Sequence, residues 1–380
     1  MATTVSLENG VRSWRGRYFE VRDRLLASPR FQRLAAATPL TRSIARKRAQ
    51  ALFDLCAGFV YTQVLFACVR LDLFEILADG PQTIQFLAAR LRLPVDAAAR
   101  LLRAATALEL VASRGTDCYG LGVLGATLVG NSAVTAMVQH HALLYADLQD
   151  PVAMLRGERR DTALARYWPY AEDPCTAADH VERVAAYTRL MSTSQPLVAG
   201  EVLAAHSFGG HRCLLDVGGG DGTFLAAIAA RNRNLRLMLF DLPAVVDQAR
   251  ERFTALGIEA RATAFAGDFL VDRLPPGADV ASLVRVIHDH DDDAALAILR
   301  GIHAVLPKGG TLLIAEPLAG TKGAEAMGDA YFGFYLLAMG RGRPRSADEH
   351  CALLAQAGFR SAEQVATRIP MQTGLIVATR

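Results

Sequence analysis

The chain lacks any Cys-x-x-Cys pair. Its six cysteines (Cys56, Cys68, Cys118, Cys175, Cys213, Cys351) are scattered. That spacing argues against a thiol-metal or dithiol redox motif and for reduced core thiols. The first stretch is polar and charged, so no secretory signal is expected. The longest apolar run, Leu55 to Val69, contains Thr62 and Gln63 and reads as too short to span a bilayer. Charge of one sign is also missing: 41 Lys and Arg against 38 Asp and Glu leave a net charge of +3. That gives no strong argument for nucleic acid. Internal repeats and low-complexity segments are absent. Together these absences lead to the expectation of a cytoplasmic globular chain.

What is present is a large apolar fraction, 52% of 380 residues. It is enough for two domains, or for one large domain with an appendage. Basic charge is concentrated in residues 1–50, which hold eleven Arg and Lys against three Asp and Glu. They include Arg12, Arg15, Arg17, Arg22 and Arg24, and the cluster Arg46, Lys47 and Arg48. This arm admits three readings: a solvated helical face, contact with an anionic membrane surface, or nucleic acid. Residues 14–110 carry helical signals, with Leu52, Phe53, Cys56, Phe59, Val60 and Val64 on a helical period. Gly80-Pro81 breaks the chain, Thr83 caps Ile84–Leu91, and a helix over Ala97–Leu110 leads into a hairpin at 111–121. Helix, turn, helix and a two-stranded wing make a winged-helix pattern. With only Arg100 and Arg103 as basic residues on its second helix, it reads as a packing module rather than a DNA reader. Residues 127–200 are helical again, looser over Gly157–Thr176, with Tyr187, Met191 and Gln195 along one side of a helix.

From Cys213 onwards strands and helices alternate. Strands are expected at 213–217, 236–240, 260–265, 279–287 and 311–316. Helices are expected at 223–232, 243–256, 292–306, 327–339 and 347–357, with a terminal strand pair near 362–368 and 373–378. This is a doubly wound, Rossmann-like α/β domain. The first strand runs into Asp216-Val-Gly218-Gly-Gly220-Asp-Gly222. Such a turn brings backbone N–H groups to a ligand without obstruction by Cβ atoms. The dinucleotide pattern Gly-x-Gly-x-x-Gly fails because Thr223 fills its sixth position. A phosphate loop fails because no Lys lies here. What remains is acid-x-Gly-x-Gly-x-Gly.

Asp241 ends the second strand, where a carboxylate can accept from both hydroxyls of a ribose, or can simply cap the helix that follows. Asp268 and Phe269 follow the third strand. They suit an exocyclic adenine amine and the face of the base, or else form a turn over a core ring. The fourth strand ends Arg285-Val-Ile-His288-Asp289-His290-Asp291-Asp292-Asp293. Three readings compete there: His288 as a general base, His288 and His290 as metal ligands, or an acidic cap on the next helix. No third metal ligand is evident, and no metal is expected. Glu316 ends the fifth strand, and a carboxylate there can fix the tautomer of His288 and stabilise its imidazolium.

These segments resemble motifs of a known family. The glycine turn resembles motif I of the class I S-adenosylmethionine-dependent methyltransferases, and Val-Ile-His288-Asp-His-Asp-Asp resembles the Leu-His-Asp-Trp-x-Asp segment of the plant-type and bacterial small-molecule O-methyltransferases. The resemblance implies S-adenosylmethionine as cofactor, with Asp216, Gly218, Gly220, Asp241, Asp268, Phe269 and Arg285 about it. It further implies His288 as base with Glu316 in support, and an N-terminal winged-helix dimerisation domain that roofs the site of a homodimer. Tyr187, Met191, Phe332, Tyr335 and Met339 are expected to line the substrate pocket. Three segments follow: a basic arm (1–50), a dimerisation and roof domain (51–195) and a catalytic domain (196–380). The chain departs from the family at His290, which replaces a Trp, and at Pro344, where plant members carry a second supporting acid. Glu316 alone is then expected to support the base. A finer resemblance, in Leu26-Ala-Ser-Pro-Arg-Phe-Gln-Arg and Arg46-Lys-Arg-Ala-Gln-Ala-Leu-Phe-Asp-Leu, is to bacterial hydroxyneurosporene or demethylspheroidene O-methyltransferases. It implies methylation of a tertiary hydroxyl on an acyclic carotenoid, with the basic arm peripheral to a membrane. The competing readings are an O-methyltransferase for a phenolic or polyketide product, and a winged-helix DNA-binding regulator that senses S-adenosylmethionine.

Overall fold

The computed structural model describes residues 14–167 and 177–380. Arg12, Cys175 and the end of the looser stretch, 168–176, lie outside the described residues. The chain divides into two compact units, one ending at Val129 and the other running Gly130–Arg380. The boundary expected at 195/196 falls inside a helix, Ala177–Ala205.

The first unit contains helices α1 (Trp14–Ala27), α2 (Pro29–Ala37), α3 (Pro39–Arg70), α4 (Leu73–Ala78), α5 (Ile84–Leu91), α6 (Val95–Ala107) and α7 (Val123–Ala126). Strands β1 (Gln82–Thr83), β2 (Val111–Ser113) and β3 (Cys118–Leu121) form a small antiparallel sheet in the order β1-β3-β2. Thr83 caps α5 as expected, its hydroxyl accepting from Phe86 N–H at 3.3 Å. This is the winged arrangement. Helix α3 runs well beyond the apolar stretch at Leu55–Val69: it is continuous for 32 residues and, by length and composition alone, long and apolar enough to cross a membrane. Leu52, Phe53, Leu55, Phe59 and Val60 are exposed along it, an unpaired apolar face of the kind that marks an interaction surface.

The second unit opens with helices α8 (Ser132–Asp147), α9 (Pro151–Leu155), α10 (Ala163–Tyr167) and α11 (Ala177–Ala205). Then strands β4 (Cys213–Val217), β5 (Arg236–Asp241), β6 (Ala262–Ala266), β7 (Val280–Val284) and β8 (Thr311–Glu316) alternate with helices α12 (Thr223–Arg231), α13 (Pro243–Ala255) and α14 (Asp292–Val305). After β8 come α15 (Phe332–Met339), α16 (Ala347–Ala357), β9 (Ser361–Val365) and β10 (Gly374–Thr379). The seven strands are ordered β6-β5-β4-β7-β8-β10-β9. The first five are mutually parallel, and β10 runs antiparallel to both neighbours. Every residue of β4 and β7 is buried, which is why these strands read as unbroken apolar runs. Helices α12 and α13 cover one face through Phe224, Leu225, Ile228 and Phe253. Helices α14 and α16 cover the other through Ile298, Leu299, Ile302 and Leu354. Each of these side chains contributes about 1.5–3 kcal/mol by leaving water. The strand order reverses between β4 and β7, which opens a crevice at their carboxyl ends.

Candidate active site

The crevice is a cavity lined by the β4–α12 turn (Gly218, Gly219, Gly220, Asp221, Thr223), by Asp241 and Phe269, by Val284 to Val286, by Asp289 and His290, and by Tyr187, Met191 and Gln195 of α11. Local chemistry builds each wall. Gly218 has φ +71, and a Cβ there would lie 2.8 Å from Val286 Cγ2, so only glycine lets the turn sit against the fourth strand's end. Asp216 lies beneath the turn, fully buried, with Oδ1 accepting from Ser282 Oγ at 2.6 Å. Burial pushes its carboxyl up to about 7, against the Ser282 bond and with help from the charge of Asp241. Its Oδ2 has no hydrogen-bond partner among the described residues. Asp241 faces the cavity, with Oδ2 accepting from Gly220 N–H and Oδ1 from Leu242 N–H, both at 2.7 Å. A carboxylate oxygen carries more than one lone pair and can accept more than one hydrogen bond.

The residues fit an adenosyl group better than a phosphate. Arg285, the cation lining the cavity, is already committed: its guanidinium donates to Ser194 Oγ at 2.7 Å, to Met191 O at 2.8 Å and to Gln195 Oε1. Arg285 therefore locks α11 against the sheet. It also ends the strand, because its φ of +57 is left-handed. For this reason β7 stops at Val284, short of the expected 287, and Ile287–Asp289 form a single 3-10 turn. Phe269 offers a ring to the cavity and meets His290 edge-on, with centroids 5.4 Å apart. Asp268 is not brought to the cavity wall. Its Oδ1 accepts from Leu270 N–H at 2.8 Å and closes its own turn.

His288 sits behind this wall, 6% exposed. Its Nε2 is 3.1 Å from Asp289 Oδ1 and its Nδ1 is 3.6 Å from Glu316 Oε2. Its backbone N–H donates to the same Glu316 oxygen at 3.2 Å. The ring lies against Phe332, centroids 5.7 Å apart. Burial disfavours charge on the imidazole, but the carboxylates of Asp289 and Glu316 outweigh it and hold the pKa above 6.5. Glu316 is wholly buried; burial alone would raise its pKa, yet the neighbouring imidazoles bring it to about 2. The second of these imidazoles was not anticipated from the sequence. His350 Nε2 stands 3.0 Å from Glu316 Oε1, oblique to the ring N–H. The available signal was a histidine on the buried stripe of α16, beside Leu353, Leu354 and Ala357.

The acidic run is divided among tasks. Asp289 faces His288. Asp291 occupies the N-cap of α14, but its side chain accepts from Gly342 N–H at 3.1 Å. Asp292 binds Arg345, whose buried guanidinium also donates to Ile287 O at 2.9 Å and His290 O at 2.7 Å. Gly342 abuts this turn with φ +75, and a Cβ would fall 2.1 Å from His288 O. Among the described residues no cluster of three or more His, Cys, Asp or Glu is placed to hold a metal ion. Of the expected substrate-pocket residues, Tyr187 and Met191 line the cavity, and Phe332 covers His288. Tyr335 and Met339 instead pack with Leu144, Met154 and Leu164. The Tyr335 hydroxyl lies 2.9 Å from His140 Nε2.

Residues 145–360 match the model of the O-methyltransferase domain, and residues 53–131 match that of the O-methyltransferase dimerisation domain. The chain is 44% identical over 336 residues to the demethylspheroidene O-methyltransferase of Cereibacter sphaeroides, covering 88% of each chain. It is 39% identical over 359 residues to the enzyme of that name from Rhodobacter capsulatus, covering 94% of this chain and 88% of that one. Among solved structures it resembles a mitomycin 7-O-methyltransferase, with a TM-score of 0.73 at 26% identity over 89% of this chain and all of the other. The glycine turn, the strand-end acids and the two matched domains agree, and the chain belongs to the S-adenosylmethionine-dependent O-methyltransferase family.

Proposed function

We propose that this enzyme methylates the tertiary hydroxyl of an acyclic carotenoid, with His288 as general base. One observation carries the substrate reading: identity of 44% to a demethylspheroidene O-methyltransferase, sustained over 88% of both chains. Asp241 and the glycine turn would hold the adenosyl part of the cofactor, Phe269 and His290 would flank its base, and Met191 and Tyr187 would close the cavity from α11. S-adenosylmethionine, when bound, supplies a methyl carbon activated by a cationic sulfur. Fixed placement of the two reactants would account for up to ~7–11 kcal/mol of the barrier.

The base works through two nitrogens. Nδ1 faces Glu316, which fixes the ring and stabilises its charged form. Nε2 is the nitrogen that takes the proton, and in the resting site it is shared with Asp289. Positive charge in the adjoining cavity acts on the ring as Arg285 already does, favouring the neutral form. As the substrate oxygen takes the methyl group the cofactor would supply, its hydroxyl proton would pass to Nε2. A tertiary alcohol is a poor acid, so this transfer accompanies or follows attack. It is worth ~10²–10⁴-fold in rate.

A homodimer is proposed to form through the region matching the dimerisation domain, which includes the exposed part of α3. The arm before it presents Arg17, Arg22, Arg24, Arg30 and Arg33 to solvent, together with Trp14, Tyr18 and Phe19. Basic residues interleaved with aromatics suit the headgroup layer of an anionic membrane, where a long apolar substrate would dissolve. The deciding experiment is incubation with labelled S-adenosylmethionine and either hydroxylated acyclic carotenoids or phenols. Methylated carotenoid is expected. Label only in phenolic product would favour the alternative to which a 30% identical 3-amino-4-hydroxybenzoate 4-O-methyltransferase of Streptomyces cremeus lends weight.

A further inference from the structure

Glu316 has an imidazole on each side, close to it but not aligned as a hydrogen bond with either ring. Oε2 is turned to His288, and Oε1 lies 3.0 Å from Nε2 of His350. Both Glu316 and His350 are 0% exposed, so neither can exchange this contact for water. The scaffold around them is stiff. Helix α16 begins with a reciprocal cap, in which Ser346 N–H donates to Glu349 Oε2 and Glu349 N–H to Ser346 Oγ. One residue earlier, Arg345 is tied to the carbonyls on either side of the His288 turn. The imidazole of His350 and the turn carrying His288 are thus parts of one fastened block. Pro344, just before Arg345, offers the base no carboxylate, as expected.

We propose that His350 is a positioning residue for the base: through Nε2–H it orients Glu316 and keeps it ionised, so that Oε2 remains directed at His288. A carboxylate with one free lobe could rotate or take up the base's proton. With Oε1 occupied by a donor, the proton received from substrate stays on His288 and the imidazolium stays opposite a full negative charge. The proposal requires a proton on Nε2 of His350; Nδ1 has no hydrogen-bond partner among the described residues. The ionisable groups facing Glu316 are His288 and His350, and its charge is also felt by His290. Nothing in this arrangement touches substrate, and the inference rests on His288 being the base.

The test has two arms. In the ligand-free enzyme, ¹⁵N-resolved imidazole spectra, assigned by difference against His350→Gln, report the tautomer of His350 directly. Protonation at Nε2 is expected, and protonation at Nδ1 overturns the proposal whatever His288 does. In the kinetic arm, His350→Phe fills the space without a donor, and His350→Gln returns an N–H. Relative to wild type, His350→Phe is expected to lower kcat about tenfold or more, a share of the base's contribution, with KM for S-adenosylmethionine unchanged. His350→Gln is expected to recover most of that loss. Equal impairment in both variants, or none in either, overturns the proposal. His288→Ala measured alongside separates the two ideas: if it turns over normally, the reading of His288 as base fails, while the tautomer result still stands or falls alone.

Discussion

Replacing Glu316 by glutamine preserves volume and removes the charge around which the two imidazoles are arranged. The carboxylate is held at about 2, against 4.5 for an unperturbed group. At roughly 1.4 kcal/mol per unit, that depression corresponds to about 3 kcal/mol of stabilisation at neutral pH. In a unit the size of Gly130–Arg380, 1 kcal/mol moves the melting midpoint by roughly 2–4 °C, so Glu316→Gln should melt roughly 6–12 °C lower. The pH dependence carries the sharper information. The share due to Glu316 is present above its unfolded pKa and is lost as pH falls towards 2. The share due to His288 runs the other way, because its pKa is raised above 6.5: it is complete below 6.5 and disappears as pH climbs through the raised value. The gap between wild type and variant should therefore be wider near pH ~6 than near pH ~9. Differential scanning calorimetry at one fixed protein concentration measures it, since dimerisation couples to the midpoint. A gap that stays the same at both pH values would refute the ionic account of this site, and a gap under about 2 °C would refute its magnitude.

His288→Ala should keep calorimetric affinity for S-adenosylmethionine and lose turnover by ~10²–10⁴-fold; unchanged turnover would remove His288 from the mechanism. Asp241→Ala should weaken binding of S-adenosylmethionine by roughly 10- to 100-fold, the worth of hydrogen bonds to a charged group, and an unaltered isotherm would deny it the ribose. The acidic limb of kcat/KM should have its midpoint above 6.5, and Asp289→Asn should move that limb to lower pH, because the Asp289 carboxylate is the first of the charges raising the His288 pKa. A limb left in place by that substitution would mean the pH profile reports another group.

Sequence reasoning succeeded where burial writes the pattern. Strands β4 and β8 were legible as apolar runs closed by a glycine turn or an acid, because both faces of the sheet are covered and all but the first residue of β8 are buried. It fell short where main-chain geometry overrides the pattern. Leu283-Val-Arg-Val-Ile looks like continuous strand, but the left-handed turn at Arg285 stops it. The expected helix over 327–339 is instead a π-helical turn, Ala326–Tyr331, followed by α15, and a widened turn leaves no mark on a helical period. Asp268 was legible as an acid after a strand, but the closing of its own turn by one of its oxygens was not. His350 was hidden for the opposite reason. Its partner is distant along the chain, and a histidine on an apolar stripe reads as core until the neighbouring strand is known.

Arg345 engages its loop almost entirely through the peptide framework. Its guanidinium meets the carbonyls of Ile287 and His290 and, twice, the Asp292 carboxylate, so the course of that loop is fixed from the segment just before α16 and does not depend on the side chains at 289 and 290. Residues 289 and 290 can then be exchanged without redrawing the path that presents His288. A protein engineer wishing to change what this loop presents to the cavity could substitute position 290 without unfastening the loop, while Arg345 is the anchor that must be left alone.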